Sequence, residues 1–202
     1  MEIIAQGPGI PSDLDPIALF NLWMKEAEAT ELNDPNAVAL GTATPDGVPS
    51  VRMVLLKGLD HRGFAFYTNE ESQKGTELRQ NPKAAMCFHW KSLRKQIRIT
   101  GTVTELPPTD ADRYFHSRSR LSQLAAAASQ QSRPLPAREI LLDRVHQLDA
   151  KYPGEIPRPP HWKGFVLSPE RIEFWKNGEG RLHDRLLYLR NGDDWRTERL
   201  FP

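Results

Sequence analysis

The chain has 202 residues, with 27 Lys and Arg against 26 Asp and Glu, six His and one Cys. A net charge of +1 excludes a nonspecific nucleic-acid binder, and the lone Cys87 excludes an intrachain disulfide or a Cys-rich zinc site. No apolar run reaches the ~18 residues of a membrane span and no basic-then-apolar leader opens the chain, so the cytosol is the expected compartment.

Residues 1–15 are expected to be a flexible arm ahead of one domain spanning 16–202. Asp15-Pro16 reads as a helix N-cap followed by proline at the first helical position. Ile17, Phe20, Met24 and Ala27 then recur at helical spacing, with Trp23 beside them, up to the Asn33-Asp34-Pro35 breaker. From Val38 the period becomes strand-like. Val38–Thr44, the turn Pro45-Asp46-Gly47 and Pro49–Lys57 predict a hairpin. A turn over Asp60–Gly63 leads into a strand at Phe64–Thr68, and a short helix over Ser72–Arg79 stops at Asn81-Pro82. Strands follow at Ala84–Trp90 and Gln96–Thr104.

The middle reads as helical. Thr109, Asp110 and Asp112 are expected to cap a segment reaching Ser117, and Ser119–Ser129 makes an Ala-rich second helix. Ala137–Tyr152 makes a third, with Ile140, Leu141, Val145 and Leu148 on a common face. After the Pro-rich connector at 153–160 the strand period returns at Gly164–Leu167, Arg171–Lys176, Arg181–Leu189 and Trp195–Leu200. Asn177-Gly178 and Asn191-Gly192 are hairpin signals between the last three. About eight strands joined by tight turns, with the helices grouped, predict a mainly β, α+β fold: an antiparallel barrel with helical additions rather than a parallel sheet.

Several familiar sites are missing. The chain has no G-x-G-x-x-G, P-loop, H-E-x-x-H or G-x-S-x-G motif, and its histidines are dispersed, so no metal site is expected. The near-zero net charge hides a segregation. Residues 1–50 carry −7 and the remaining 152 carry +8, thickest over Lys91–Arg133 and Arg171–Arg199. Such local excess suits a small anion, and it also suits solvated faces that balance one another.

Four segments could hold that anion. In the strand ending Arg52-Met53-Val54-Leu55-Leu56-Lys57, alternation puts Arg52, Val54 and Leu56 on one face and Met53, Leu55 and Lys57 on the other. Tyr67 and Thr68 followed by Ser72, Gln73 and Lys74 place hydroxyls at a strand end and a cation in a helix first turn. A lysine there is unfavourable unless a phosphate binds beside it. If Tyr114–Ser122 is one helix, Tyr114, Arg118 and Ser122 stack on one stripe as phosphate donors, and Gln131-Ser132-Arg133 adds more. A solvated basic face explains that stripe equally well. Lastly, Arg181, His183 and Arg185 alternate onto one face of a predicted strand, where they repel one another unless an anion lies over them.

The stretch IEFWKNGEGRLHDR resembles the signature of the pyridoxine (pyridoxamine) 5′-phosphate oxidase family. RMVLLK, FYTNEESQKG, KQIRITG, YFHSRSRLSQL, QQSRPL and the closing WRTERLFP recur in the same order, so the resemblance covers Ala37 to Pro202. It implies an FMN-binding split β-barrel, a homodimer with FMN at the subunit interface, and no nucleic-acid or membrane partner. It implies that FMN is held by Arg52, Met53, Val54, Leu55, Leu56, Lys57, Tyr67, Thr68, Lys74, Gln96, Gln131, Ser132, Trp175 and Arg185. The substrate phosphate falls to Lys57, Tyr114, Arg118 and Ser122, and the substrate ring and reacting arm to the catalytic pair Arg181 and His183. The implied activity is oxidation of pyridoxine or pyridoxamine 5′-phosphate to pyridoxal 5′-phosphate, with O2 as acceptor and hydrogen peroxide as product. The chain departs from the family pattern at Gln73 (usually Arg), at Lys176 (usually Gln) and over Ala125–Ala128, and residues 1–15 show no Arg-x-x-Tyr arm. A related FMN oxidase of phenazine biosynthesis and a non-catalytic flavin or pyridoxal-phosphate binder are the rival readings.

Overall fold

The computed structural model describes residues 9–202 of the chain. Helix α1 (Pro16–Thr30) starts where the sequence places it, with the Asp15 carboxylate accepting from the amides of Ile17 and Ala18 and Pro16 opening the first turn. Then come β1 (Ala37–Ala43), β2 (Pro49–Leu55), a short β3 (Gly58–Asp60), β4 (Gly63–Asn69), α2 (Gln73–Gln80), β5 (Lys83–Trp90) and β6 (Lys95–Glu105). Helices α3 (Pro108–Ser117), α4 (Arg120–Ala128) and α5 (Arg138–Lys151) are grouped, and β7 (Trp162–Lys176), β8 (Asp184–Asn191) and β9 (Asp194–Arg199) complete the chain.

Every strand pair is antiparallel, in the order β2-β1-β5-β6-β7-β4-β3, with β8 and then β9 added along β7. The sheet curls on itself, because the chain leaving β2 returns to β4, where the Lys57 amide donates to Ala65 O at 2.8 Å. Inward side chains fill the curl: Leu40, Phe66, Phe88, Ile99 and Phe174 are fully buried. Helix α1 plugs the opening through Phe20, set edge-on to Phe64 and Phe88, and Trp23, edge-on to Phe174. A second core under α3 to α5 gathers Phe115, Leu124, Ile156 and Trp162. Of residues 1–15, those up to 8 lie outside the described ones. Ile10 is 2% exposed, with its amide on the Asp184 carboxylate at 2.5 Å, and Leu14 O accepts from the Tyr188 hydroxyl.

Four expectations are corrected, and a further one, the common apolar face of α5, is only half-buried. The strands read at Gly164–Leu167 and Arg171–Lys176 are one strand, β7, bent where the β6 register shifts at Thr100/Gly101; there a Cβ on Gly101 would fall 2.0 Å from Ser168 O. Thr109 caps nothing, since α3 begins after Pro107 with Pro108 in its first turn. Helix α5 buries none of its residues. Val145 and Leu148 pack partly against the second core, while Ile140 stays exposed. Asn177-Gly178 is not a two-residue hairpin but the start of a longer loop, whereas Asn191-Gly192 does turn tightly, with Gly192 at φ +63°. Finally, β8 begins at Asp184 and not at Arg181.

Candidate active site

A cavity of about 540 Å³ opens between the outer end of β2, the end of β4, the start of α2 and the α3–α4 junction. That volume lies in the range of small-molecule sites. Arg52, Met53, Val54, Leu55 and Lys57 line one wall, Tyr67, Thr68 and Lys74 the floor, and Tyr114, Arg118, Gln131 and Ser132 the opposite side. Leu56 points away into the barrel core. Gln73, named in the second candidate segment, lines the cavity too, as do Ser50, Val51 and Trp162, which the sequence reading leaves unassigned. Four cations line this space and no carboxylate does.

Each cation is held differently. Arg52 projects inward from β2, donating to Leu40 O at 3.2 Å and to the hydroxyls of Thr42 and Ser50. Behind it sits the buried Glu77 of α2, 3.4 Å from the guanidinium, accepting from Thr42, Ser50 and Gln73. Burial pushes the Glu77 carboxyl up, but those hydrogen bonds and Arg52 together hold it below the usual carboxylate range. Lys74 is 7% exposed and donates to three neutral acceptors, Thr68 Oγ1, Ser72 Oγ and Gln131 Oε1, at 3.1 to 3.2 Å. Desolvation, with repulsion from Arg52, pulls its ammonium down to about 8, Glu77 opposing. A buried ammonium with neutral ligands, in the first turn of a helix capped by Ser72, is a site that an anion completes. Ser132, beside it, holds a left-handed backbone at φ +70°.

At the other end Arg118 has an Nη1 that is buried without a hydrogen-bond partner. Desolvation lowers its pKa. Lys57 Nζ stands 5.9 Å from the centre of the Tyr114 ring. The expected helical stripe is not formed. Helix α3 ends at Ser117, Arg118 is extended, and α4 restarts after Ser119. Tyr114 and Arg118 still meet at the cavity, while Ser122 does not line it and instead bonds Ser119 Oγ at 2.8 Å.

The remaining expected residues form a second cluster. Gln96 on β6 pairs with Trp175 on β7, which pairs with Arg185 on β8. Arg185 is fixed by the buried Glu173 at 2.7 and 2.9 Å and by Phe201 O at 2.8 Å. The His183 ring lies 4.6 Å from that of Trp175, and its Nδ1 accepts from the Gly178 amide at 3.2 Å. A neutral imidazole so placed carries its proton on Nε2. Arg181, His183 and Arg185 do not share a strand face. Arg181 sits in a 3₁₀ turn at φ +68°, inside a loop so tight that a Cβ on Gly178 would lie 1.9 Å from Leu182 O. Tyr67 pairs with Gly164 and Gln96 with Trp175, eleven residues further along the bent strand β7, so the two clusters lie on different stretches of that strand.

Residues 24–152 match the family profile described as pyridoxamine 5′-phosphate oxidase, and 162–202 match the pyridoxine 5′-phosphate oxidase C-terminal dimerisation region. The chain belongs to this family. It is 56% identical over 196 residues to the pyridoxine/pyridoxamine 5′-phosphate oxidase of Gluconobacter oxydans, covering 96% of this chain and 98% of that one. It is 55% identical to the enzyme of the same name from Rhodospirillum rubrum, covering 94% and 98%. Among solved structures it superposes on PhzG from Burkholderia lata, a complex with tetrahydrophenazine-1-carboxylic acid, with a TM-score of 0.92 at 35% identity and 98% of each chain covered. A pyridoxamine 5′-phosphate oxidase-related protein from Nostoc punctiforme shares the fold at a TM-score of 0.76, covering 94% of this chain and 100% of that one at 20% identity. Among the described residues no helix is long and apolar enough to cross a membrane.

Proposed function

We propose that this chain, with residues 16–202 acting as one domain, is a cytoplasmic, FMN-dependent oxidase of pyridoxine and pyridoxamine 5′-phosphates. The observation that carries the reading is the cavity wall itself: Arg52, Lys57, Lys74 and Arg118 face one space with no carboxylate among them. Its two ends suit two phosphates. The buried Lys74 with Arg52, Thr68, Gln131 and Ser132 fits the FMN phosphate, and Arg118, with an unpartnered buried Nη1, fits that of the substrate together with Lys57 and Tyr114. Tyr67 and the Met53–Leu55 wall supply apolar surface for the flavin.

FMN would supply the two-electron chemistry, taking a hydride from the 4′ carbon and returning both electrons to O2 as hydrogen peroxide. The protein's part is placement. The phosphate cations fix the far end of the substrate and so set where the 4′ arm lies. Gln96, Trp175, Arg185, Arg181 and His183 of a second copy complete the site, which lies at the interface of a homodimer. The match of residues 162–202 to a C-terminal dimerisation region supports the homodimer. Arg181 positions the reacting arm, and the Nε2 proton of His183 is available to it as a hydrogen-bond donor. With the amine substrate, water then releases ammonia.

Purified protein given FMN and pyridoxine 5′-phosphate in air forms pyridoxal 5′-phosphate and hydrogen peroxide in equal amounts. Absence of both products, or turnover of a dihydrophenazine acid in their place, contradicts the reading.

A further inference from the structure

Trp162 opens β7 opposite Asn69, the last residue of β4, and is 6% exposed. Its carbonyl is fixed by Arg158 at 2.6 Å, and Arg158 is in turn held by Asp112. The ring lies nearly parallel to Tyr67, at 5.4 Å and 10°, and to Tyr114, at 5.9 Å and 18°. Tyr67 and Tyr114 stack on each other at 4.2 Å, and Phe115 meets the indole edge-on. The Arg118 guanidinium lies 5.2 Å from the centre of the same indole.

Arg118 has no carboxylate partner among the described residues, and its Nη1 is buried without an acceptor. Its backbone is not held in a helix either, because Arg118 caps the end of α3. The indole face is therefore what orients the side chain. An aromatic face attracts a cation without neutralising it and accepts none of its hydrogen bonds. The contrast with Arg52, which rests on the Glu77 carboxylate, is chemical. A carboxylate at Arg118 would compete with an incoming phosphate for the same N–H groups, and an indole leaves them free.

We infer that Trp162 is a positioning residue for substrate binding: it aims the Arg118 guanidinium, uncompensated, at the substrate phosphate, and ties it through the ring stack to Tyr114. This rests on the reading of Arg118 as a substrate-phosphate cation. The two can fail separately.

The test uses the FMN-loaded protein and measures KM for pyridoxine 5′-phosphate, the inhibition constant of inorganic phosphate, kcat and the Kd of FMN. W162L should raise KM and weaken phosphate inhibition by about 2- to 30-fold, the span of a cation–π contact from exposed to desolvated. W162F, which keeps a weaker π face, should fall between W162L and the parent. In both variants kcat should stay within about twofold, since the reacting end is untouched. In an R118M background W162L should cause no further loss, because its effect passes through the guanidinium. If R118M itself leaves phosphate affinity unchanged, the assignment of Arg118 fails. If R118M weakens it while W162F does not, or if W162L costs as much with R118M as without, the role of Trp162 is refuted. Equal losses in FMN affinity and phosphate affinity would mark a packing role and also refute it.

Discussion

Lys74 gives a prediction whose size follows from its surroundings. Its Nζ meets three neutral oxygens, and the charged groups bearing on it are Arg52, which repels it, and Glu77, which attracts it. Moving an ammonium from 10.5 to about 8 costs the empty protein roughly 3 kcal/mol at pH 7, at about 1.4 kcal/mol per unit. K74M removes that cost but also three hydrogen bonds of about 1 kcal/mol each, so stability at neutral pH alone is uninformative. The pH dependence is informative. Below about 8 the folded and unfolded chains both hold the proton, and the full penalty is present. As pH rises from there toward 10.5 the folded chain gives up a proton that the unfolded chain keeps, so the penalty fades. Urea unfolding of the FMN-free protein should therefore show the parent gaining about 1.3 kcal/mol over K74M between pH 7 and pH 9. Over the same interval the parent's FMN affinity should fall about tenfold, as the protonated fraction drops from roughly nine tenths to one tenth. The phosphate of FMN, with a second pKa of about 6, stays doubly charged throughout. K74M should bind FMN more weakly at pH 7 and with a flat profile. Parallel profiles for the two proteins, in both stability and FMN affinity, would refute the assignment of Lys74 as an uncompensated phosphate ligand.

If each site draws on two chains, K74M and R181L lie in different halves of it, and co-expressing them yields mixed dimers with one intact site. Activity should then recover to about a quarter of the parent's at random pairing, and no recovery over either variant alone would mean that each site lies within one chain. G178A forces a Cβ to within 1.9 Å of Leu182 O and disturbs the amide that fixes His183. We expect kcat to fall about 10²-fold through misplacement of the 177–183 loop, and parental turnover would show that the loop does not position the reacting groups. Glu77 holds Arg52 with its carboxyl below the usual range, so its stabilising share is present above that range and is lost as pH falls through it. E77Q should flatten the acid limb of the stability profile, and an unchanged limb would remove Glu77 from the account.

Local signals carried most of the fold. Asp15-Pro16, Pro45-Asp46-Gly47 and Asn191-Gly192 act through their own backbone preferences, and each sits where a cap or turn forms. Alternation also predicted correctly that Arg52 and Met53 face opposite ways on β2. What failed depended on contacts distant in sequence. Alternation over Arg181–Arg185 looks like a strand until the loop closes on Gly178, and the left-handed Arg181 leaves no alternation at all. The Tyr114–Ser122 stripe fails because Ser119 caps a new helix, yet Arg118 reaches the cavity by another route, against Trp162. Trp162 itself follows a Pro-rich connector and gives no periodic signal. Gly164 was the available hint, since Tyr67 lies so close that a Cβ there would meet its ring at 2.7 Å.

The most direct test of the account mixes the FMN-loaded protein with pyridoxine or pyridoxamine 5′-phosphate in the absence of oxygen. The account predicts that the yellow absorption bleaches within turnover time, that one pyridoxal 5′-phosphate appears per flavin, and that admitting air restores the colour with one peroxide. A protein that holds its FMN and both substrates yet keeps its colour would contradict it.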